Sequence, residues 1–365
     1  MNNVGIGLSR FYKRLTDVQI VEAIVTRHTS LLSLDDLLTL KPLMPTQEEQ
    51  ANLMLYAGPI EQLGVAEKFM YVAANEPHLA WMVDSLIFER QFDSELEAVT
   101  SKITSVIGML VKIRESPALK LLLRAVLDLG NLANYDYGQV PAYARLRGKA
   151  LGFKMESLIC LQDVKSVDKK TNLLQYLIMT IRDKHPEVLS LPSDFSDLHI
   201  LRYWDTSATL AQIEDIAKSF RRLRDLSLPG DEMTRVECFR KSQQVFLHRA
   251  ASELEKIGHI AKVLKDTWHN TAEYLGEDTE GRRPEDLFII LDQFFRSFAD
   301  SIVKIGKQSS ENRLLSRSGS PNFRTPNKLF KDEDDSSTAS TDISGLIRSD
   351  SMVSLRSSFG NLNVK

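Results

Sequence analysis

The fold is decided by an interrupted stretch in mid-chain: GNLAN at residues 130–134, ALGFK at 150–154, LQDVKSVD at 161–168 and KTNLLQYL at 170–177. Glycine, proline, tyrosine and phenylalanine recur between Gly130 and Lys170, whereas the flanking segments repeat apolar residues every three or four positions. Long loops inside compact domains are usually functional or disordered, and the aromatic residues favour order here. We therefore predict an ordered, functional loop carrying one short helix, on a helical body.

The segments around this loop have the periodicity of α-helices. Thr46 and Glu49 are spaced as a capping box, Asp17 is placed to cap a second helix, and Gly130 is placed to end a third. Between residue 93 and about residue 115, apolar residues recur at steps of three and four, which is the spacing of one helix face. They are Leu96, Val99, Ile103, Val106, Leu110 and Ile113. The sequence predicts an all-α protein.

The longest predicted helix runs from residue 231 to about residue 274. A seven-residue seam along it indicates either a coiled coil or a long amphipathic helix packed on its neighbours. The seam consists of Val236, Phe239, Gln243, Phe246, Ala250, Ile257, Ile260 and Leu264. A last helix is predicted from Pro284 to about Ile305.

The composition changes beyond residue 306 to a serine-rich tail with few large apolar residues. Such a segment buries too little apolar surface to offset chain entropy, so we predict that residues 307–365 are disordered. Ser320 and Ser351 each follow an arginine in a pattern typical of basic-directed phosphorylation sites.

Composition excludes several function classes. A net charge of −3 does not favour nucleic acid, and two cysteines are too few for a secreted disulfide scaffold. No stretch approaches the roughly 20 apolar residues that span a bilayer, and the N-terminus lacks the apolar core of a signal peptide. None of the seven histidines stands in a metal-binding pattern, and no phosphate-binding loop or nucleophile elbow is present. We expect a cytoplasmic protein that is not an enzyme and uses no cofactor or metal.

Two basic clusters stand out. Seven cations lie between Arg145 and Lys170, and a second group comprises Lys218, Arg221, Arg222 and Arg224. Either cluster can be a binding surface or a solvated face, and the first lies in the irregular loop, where ordered charge more often serves binding.

Taken in order, the quoted strings resemble the signature of the formin homology 2 domain. In that family a G-N-x-x-N turn leads to G-F, a short helix, K-L-x-D-x-K-S-x-D and T-x-L-L-x-Y-L. Flanking strings agree: NVGIGLSRF at residues 3–11, LMPT at 43–46, AEKF at 66–69 and YLGED at 274–278. The resemblance covers about residues 2 to 305.

The resemblance implies an elongated, multi-helix domain over residues 1–306. Its parts would be a knob (about 1–115), a coiled coil, and a post with supporting helices (about 116–306). Ile6 is the implied actin contact of the knob, although a core position on the first helix is an alternative. Lys165 and Lys169 would meet the acidic surface of actin or lie on a solvated face. The implied pocket for the lasso of a partner subunit comprises Gly130, Asn131, Asn134, Gly152 and Phe153. Glycines let a large ring approach the backbone, but Gly130 also fits a plain helix C-cap.

By family, such a domain binds actin, nucleates filaments, stays at the growing barbed end as a ring-shaped dimer and organises the cytoskeleton. The chain begins at the knob, so we expect an N-terminally truncated domain without lasso and linker, and dimerisation stays open. The alternative is a helical interaction scaffold that has lost nucleation, either an adaptor or a microtubule-associated protein.

Overall fold

The computed structural model describes residues 2–28, 30–76, 78–134, 150–165, 171–225 and 234–316. These residues contain no β-strand, only an isolated bridge between Lys165 and Asn172, so the all-α prediction is confirmed. The α-helices are α1 (Asn2–Ser9), α2 (Asp17–Val25), α3 (Leu34–Leu40), α4 (Gln47–Met54), α5 (Val65–Ala74), α6 (Leu79–Glu115), α7 (Pro117–Asn134), α8 (Ser157–Cys160), α9 (Leu173–Ile181), α10 (Leu191–Asp194), α11 (Leu198–Leu201), α12 (Thr206–Arg224), α13 (Thr234–Leu275) and α14 (Pro284–Ser316). Short 3-10 turns lie at Lys41–Leu43, Ile60–Gln62 and Pro186–Ser190.

Reciprocal side-chain caps begin several of these helices. The predicted box at α4 is confirmed: the Glu49 amide donates to the Thr46 hydroxyl, and the Glu49 carboxylate accepts from the Thr46 amide at 2.9 Å. The prediction of Asp17 as the cap of α2 is wrong. Thr16 caps that helix, because its hydroxyl accepts from the Gln19 amide while Gln19 bonds back to the Thr16 amide. Asp17 is the first helical residue.

Residues 1–103 and 207–262 form one compact unit. Its core brings together side chains from α1, α2, α3, α5, the first part of α6 and the start of α13. Phe11, Phe69 and Phe239 are among the largest side chains that are fully buried there. The amphipathic faces recognised in the sequence are thus covered by one another.

Within this unit, α13 runs parallel to α6. Trp81 meets Phe239 with ring centroids 5.5 Å apart, Phe92 meets Phe246 at 5.5 Å, and the Ser85 hydroxyl donates to Gln243 at 3.3 Å. The residue numbers of the contacting side chains increase in the same direction along both helices, so the two helices are parallel. Buried positions on α13 keep the seven-residue spacing of the predicted seam, and this favours the coiled-coil interpretation.

Residues 104–206 and 263–365 form the second unit, which the structure describes as far as Ser316. Helix α14 packs against α8, α9, α10 and α11 and buries Phe288, Phe294 and Phe298. Helix α7 packs against α9 and the turn Pro186–Ser190. The described residues of the mid-chain segment quoted above, 130–134, 150–165 and 171–177, belong to this unit.

Two helix ends differ from the prediction. Helix α7 continues through Gly130 to Asn134, so a C-cap at Gly130 is wrong; this glycine is helical and buried. Helix α14 reaches Ser316, later than the predicted boundary at residue 306. Adding residues to a formed helix costs little once it is nucleated, so weak helix formers at an end do not stop it.

Several predictions lie outside the described residues. They are the tail from residue 317, with Ser320 and Ser351, and Lys169 in the mid-chain loop. The boundaries of the knob and the post stay predictions.

Candidate functional site

The candidate site begins at Ala150, in the second unit. Asn131, in the last turn of α7, donates from its side-chain amide to the Ala150 carbonyl at 3.0 Å. Its side-chain oxygen accepts the Ala150 amide at 2.8 Å. Two bonds to one residue's backbone fix both its position and its orientation. Asn131 therefore determines where the segment starts.

The same segment is held at its other end by Glu277. One carboxylate oxygen accepts the Met155 amide at 2.8 Å, and the other accepts Arg282 at 2.6 Å. Arg282 also bonds Glu156 at 2.6 Å, and the Glu277 side chain is only 6% exposed. Burial lowers the pKa of the Arg282 guanidinium, but the hydrogen bond to Glu156 and the charges of Glu156 and Glu277 outweigh burial and raise it. The three side chains form a charged clamp on the backbone.

A helix-ending turn delivers Glu277 to this position. Gly276 has a φ of 68°, and its amide donates to the Glu273 carbonyl at 3.1 Å. The Glu277 amide donates to the Ala272 carbonyl at 2.9 Å. This pair of bonds is the Schellman motif, which needs a residue in the left-handed region, and glycine adopts that conformation without steric cost. Sequence reasoning missed the role of Glu277. A glycine ending the longest helix, followed directly by an acid, was the available signal.

Between the two clamps, residues 151–154 form a short segment that we call the arch. Leu151 is 82% exposed, and Phe153 is half-buried. Among the residues that the structure describes, no atom lies within 4 Å of the place where a Cβ on Gly152 would be, and the backbone there is not left-handed. The glycine is therefore not required by conformation and leaves open space in front of the arch.

The predicted pocket residues have different surroundings. Asn131 is bonded to the start of the arch, and Gly152 and Phe153 belong to it. Gly130 is buried within α7, beside Asn131 in sequence. Asn134 ends the α7 backbone, and its side chain is outside the described part.

A second candidate surface lies on α1, in the first unit. Ile6 is 71% exposed, whereas Leu8 and Phe11 are fully buried. The alternative that Ile6 is a core residue is therefore wrong in this structure. Beside Ile6 an open groove of about 590 Å³ is lined by Gly5, Ser9 and the first turn of α5, residues 64–67. An exposed isoleucine next to a groove can enter an apolar site on a partner.

Helix α1 is braced so that this surface stays in place. A Cβ on Gly7 would lie 2.9 Å from Leu43, so the glycine allows close packing of α1 on that residue. The buried Asp36 carboxylate accepts Arg10 at 2.8 Å and Arg14 at 3.2 Å. Burial raises the pKa of Asp36, but hydrogen bonds from Ser33 and Arg14 and the Arg14 charge outweigh it, and the pKa lies below its usual value.

Replacing Asp36 by asparagine tests the brace. We expect a loss of about 1.5–3 kcal/mol of unfolding free energy at pH 7, the usual value of hydrogen bonds to charged groups. The folded-state pKa is lowered, so the carboxylate stabilises the fold above the unfolded-state pKa of about 3.9. That contribution is lost as the pH falls through the folded-state pKa. Urea unfolding at pH 7 measures the loss of unfolding free energy, and urea unfolding near pH 3 measures how much of that loss disappears at low pH.

Asp35→Asn is the matched control, since Asp35 is exposed and neighbours Asp36 on α3. It removes the same charge and should change the unfolding free energy by less than about 0.5 kcal/mol. If the difference in unfolding free energy between Asp36→Asn and the parent stayed constant down to pH 3, the stabilising role of the ionised Asp36 carboxylate would be contradicted.

A family model described as Formin Homology 2 Domain matches residues 1–299 of this chain. The chain belongs to the formin homology 2 domain family. It is 26% identical over 319 residues to Formin-like protein 3 of Danio rerio, covering 86% of this chain and 28% of that protein. It is 28% identical over 301 residues to Formin-like protein 6 of Oryza sativa subsp. japonica, covering 82% and 21%. The chain thus spans less than a third of the length of these relatives.

The formin homology 2 domain also exposes a surface that sequence reasoning missed. Ile200 and Tyr203 are both exposed, and the Arg202 guanidinium lies 4.4 Å from the Tyr203 ring centroid. The Asp292 carboxylate forms ion pairs with this arginine at 2.8 Å and with Arg296 at 2.9 Å. Tyrosine and arginine are enriched in interface hot spots, so the string ILRYW at residues 200–204 was a usable signal. We call this the Tyr203 surface.

The basic residues of this domain are only partly described. Lys165 is exposed, and its backbone pairs with Asn172, which caps α9. Lys218, Arg221, Arg222 and Arg224 are exposed on α12, where Lys218 pairs with Asp215 and Arg224 with Asp225. Among residues within the described ranges, no group of three His, Cys, Asp or Glu side chains is placed to hold a metal ion. No described helix is long and apolar enough to cross a membrane.

Proposed function

We propose that this formin homology 2 domain binds actin, associates with filament barbed ends and promotes nucleation, and so organises the actin cytoskeleton. The observation that carries the proposal is Ile6, an exposed isoleucine on a braced helix in a chain whose family match begins at residue 1. The mechanism is binding and positioning of actin subunits, without covalent chemistry. An apolar side chain held rigidly in water gains free energy when a partner buries it and loses little entropy on binding.

The Tyr203 surface, in the other compact unit, is a second contact of the same kind. Its tyrosine stacks on an arginine that Asp292 holds in place, so the surface is ordered before a partner arrives. Lys165 and Lys169 would add attraction to an acidic actin surface. That contribution is screened by salt, because exposed charges lose most of their interaction beyond a Debye length of about 8–10 Å.

The arch would serve association between subunits. The open space in front of Gly152 and the exposed Leu151 next to it suit an aromatic side chain from a partner subunit. Aromatic side chains contribute strongly to interfaces because they bury a large area with few rotatable bonds.

Assembly of pyrene-labelled actin in the presence of the purified chain tests the function. We expect a shorter lag before polymerisation from monomers, a changed growth rate of barbed ends from filament seeds, or both. If neither changes, the helical scaffold that has lost nucleation is favoured, and co-sedimentation with microtubules examines that alternative.

A further inference from the structure

We propose that Glu277 is a positioning residue for the arch: with Asn131 at the other end, it holds residues 151–154 in the shape that receives a partner's aromatic side chain. The inference rests on the proposed role of the arch in subunit association. It adds a residue on the turn between α13 and α14, far from the arch in sequence, to the determinants of that association.

The two clamps hold the backbone at opposite ends of the arch. Asn131 bonds the amide and the carbonyl of Ala150, and Glu277 bonds the amide of Met155. Both clamps therefore act on the backbone, and neither uses the exposed Leu151 side chain or the space at Gly152. Four residues between two fixed ends have little conformational freedom. If one end is released, the unbound arch regains conformational entropy, and binding must then remove that entropy.

The Glu277 clamp exists before any partner binds. Its backbone is fixed by the Schellman turn at Gly276, and its second oxygen is held by Arg282. The buried carboxylate thus has partners in two directions, and neither partner belongs to the arch side chains. Preorganisation of this kind raises affinity because less of the binding free energy is spent on ordering.

Substitution by alanine and by glutamine separates the two bonds of Glu277. Alanine removes the acceptor for the Met155 amide together with the ion pair to Arg282. Glutamine keeps a side-chain oxygen for the Met155 amide, but it replaces the oxygen that accepts from Arg282 by an NH2 group and removes the charge. We expect hydrogen exchange at Met155 and in the arch to accelerate in Glu277→Ala and to stay near the parent rate in Glu277→Gln. Exchange in α9 and α14 should change in neither variant.

Binding is read with the tripeptide acetyl-Gly-Trp-Gly-amide, titrated against the full chain while the NMR signal of the Gly152 amide is followed. If the loosened arch adopts the competent shape about one tenth of the time, Glu277→Ala weakens binding about tenfold. Glu277→Gln should weaken it less than about threefold. Gly152→Leu fills the open space without touching either clamp and should abolish binding.

The variants distinguish the inference from the function on which it rests. If Gly152→Leu abolishes binding but Glu277→Ala binds like the parent, the positioning role is wrong and the socket stands. If the parent does not bind the peptide, or Gly152→Leu binds it equally well, the socket is wrong and the inference falls with it. If Glu277→Ala does not fold, Glu277→Gln carries the test. Arch amides that exchange in Glu277→Gln as fast as in an unfolded chain would overturn the role assigned to the Met155 bond.

Discussion

We expect that replacing Ile6 by aspartate lowers the apparent affinity of the chain for actin by about 100-fold in pyrene-actin assembly. Truncation of a central hot-spot side chain costs about 2–4 kcal/mol, and about 1.4 kcal/mol corresponds to a tenfold change. Aspartate adds the cost of burying a charge against an apolar site on the partner. Because Ile6 is 71% exposed, the substitution should leave the unfolding free energy within about 0.5 kcal/mol of the parent.

Val245→Asp is the matched control for Ile6. Val245 is a β-branched apolar residue on α13 in the same compact unit, and it is 81% exposed. It does not line the groove beside α1. We expect this variant to act on actin like the parent. If Ile6→Asp kept the parent activity, or if Val245→Asp lost activity equally, α1 would not be the actin contact.

The helical body was predictable because periodicity is a property of neighbouring residues. The steps of three and four along residues 93–115 and the seven-residue seam through Phe239 each describe one face of a helix, and the structure buries those faces. The capping box at Thr46 was likewise readable, since both partners lie within one turn. Each of these signals is local, so each can be recognised in the sequence without knowledge of tertiary contacts.

The clamps on the arch were not predictable, because they join residues that are far apart in sequence. Asn131 bonds Ala150, which lies 19 residues further along the chain. Glu277 bonds Met155 across a separation of 122 residues. The prediction of helix ends was wrong for a related reason. Gly130 looked like a C-cap, but the structure tolerates it inside α7, and only the surrounding packing decides between those outcomes.

The exposure of Ile6 also required the structure. A short helix that carries Ile6 and Leu8, followed by Phe11, leaves open which of these apolar residues face the core. Leu8 and Phe11 are covered, and the Asp36 brace and the close approach of Gly7 to Leu43 set the orientation that leaves Ile6 outside. The functional assignment therefore rests on a tertiary arrangement that a pattern of residues alone does not determine.

Phe239→Ala should cost about 3–5 kcal/mol of unfolding free energy, the usual loss for a fully buried phenylalanine. Its ring is 1% exposed, meets Trp81 at a centroid distance of 5.5 Å and lies 5.4 Å from the Arg27 guanidinium carbon. The neighbouring layer of the seam is the polar pair of Ser85 and Gln243, which cannot supply comparable apolar contact. Phe239 thus joins the start of α13 to α6 through a buried aromatic contact.

Urea unfolding measures the loss, and hydrogen exchange locates it. Exchange should accelerate in α2, the first part of α6 and the start of α13, while α9 and α14 in the other unit keep the parent rates. Val245→Ala, on the exposed side of α13, should stay within about 0.5 kcal/mol of the parent. A Phe239→Ala loss as small as that of the control would mean that α13 does not pack on α6 in the parallel register. The seven-residue seam would then be only the buried stripe of a long amphipathic helix with other neighbours.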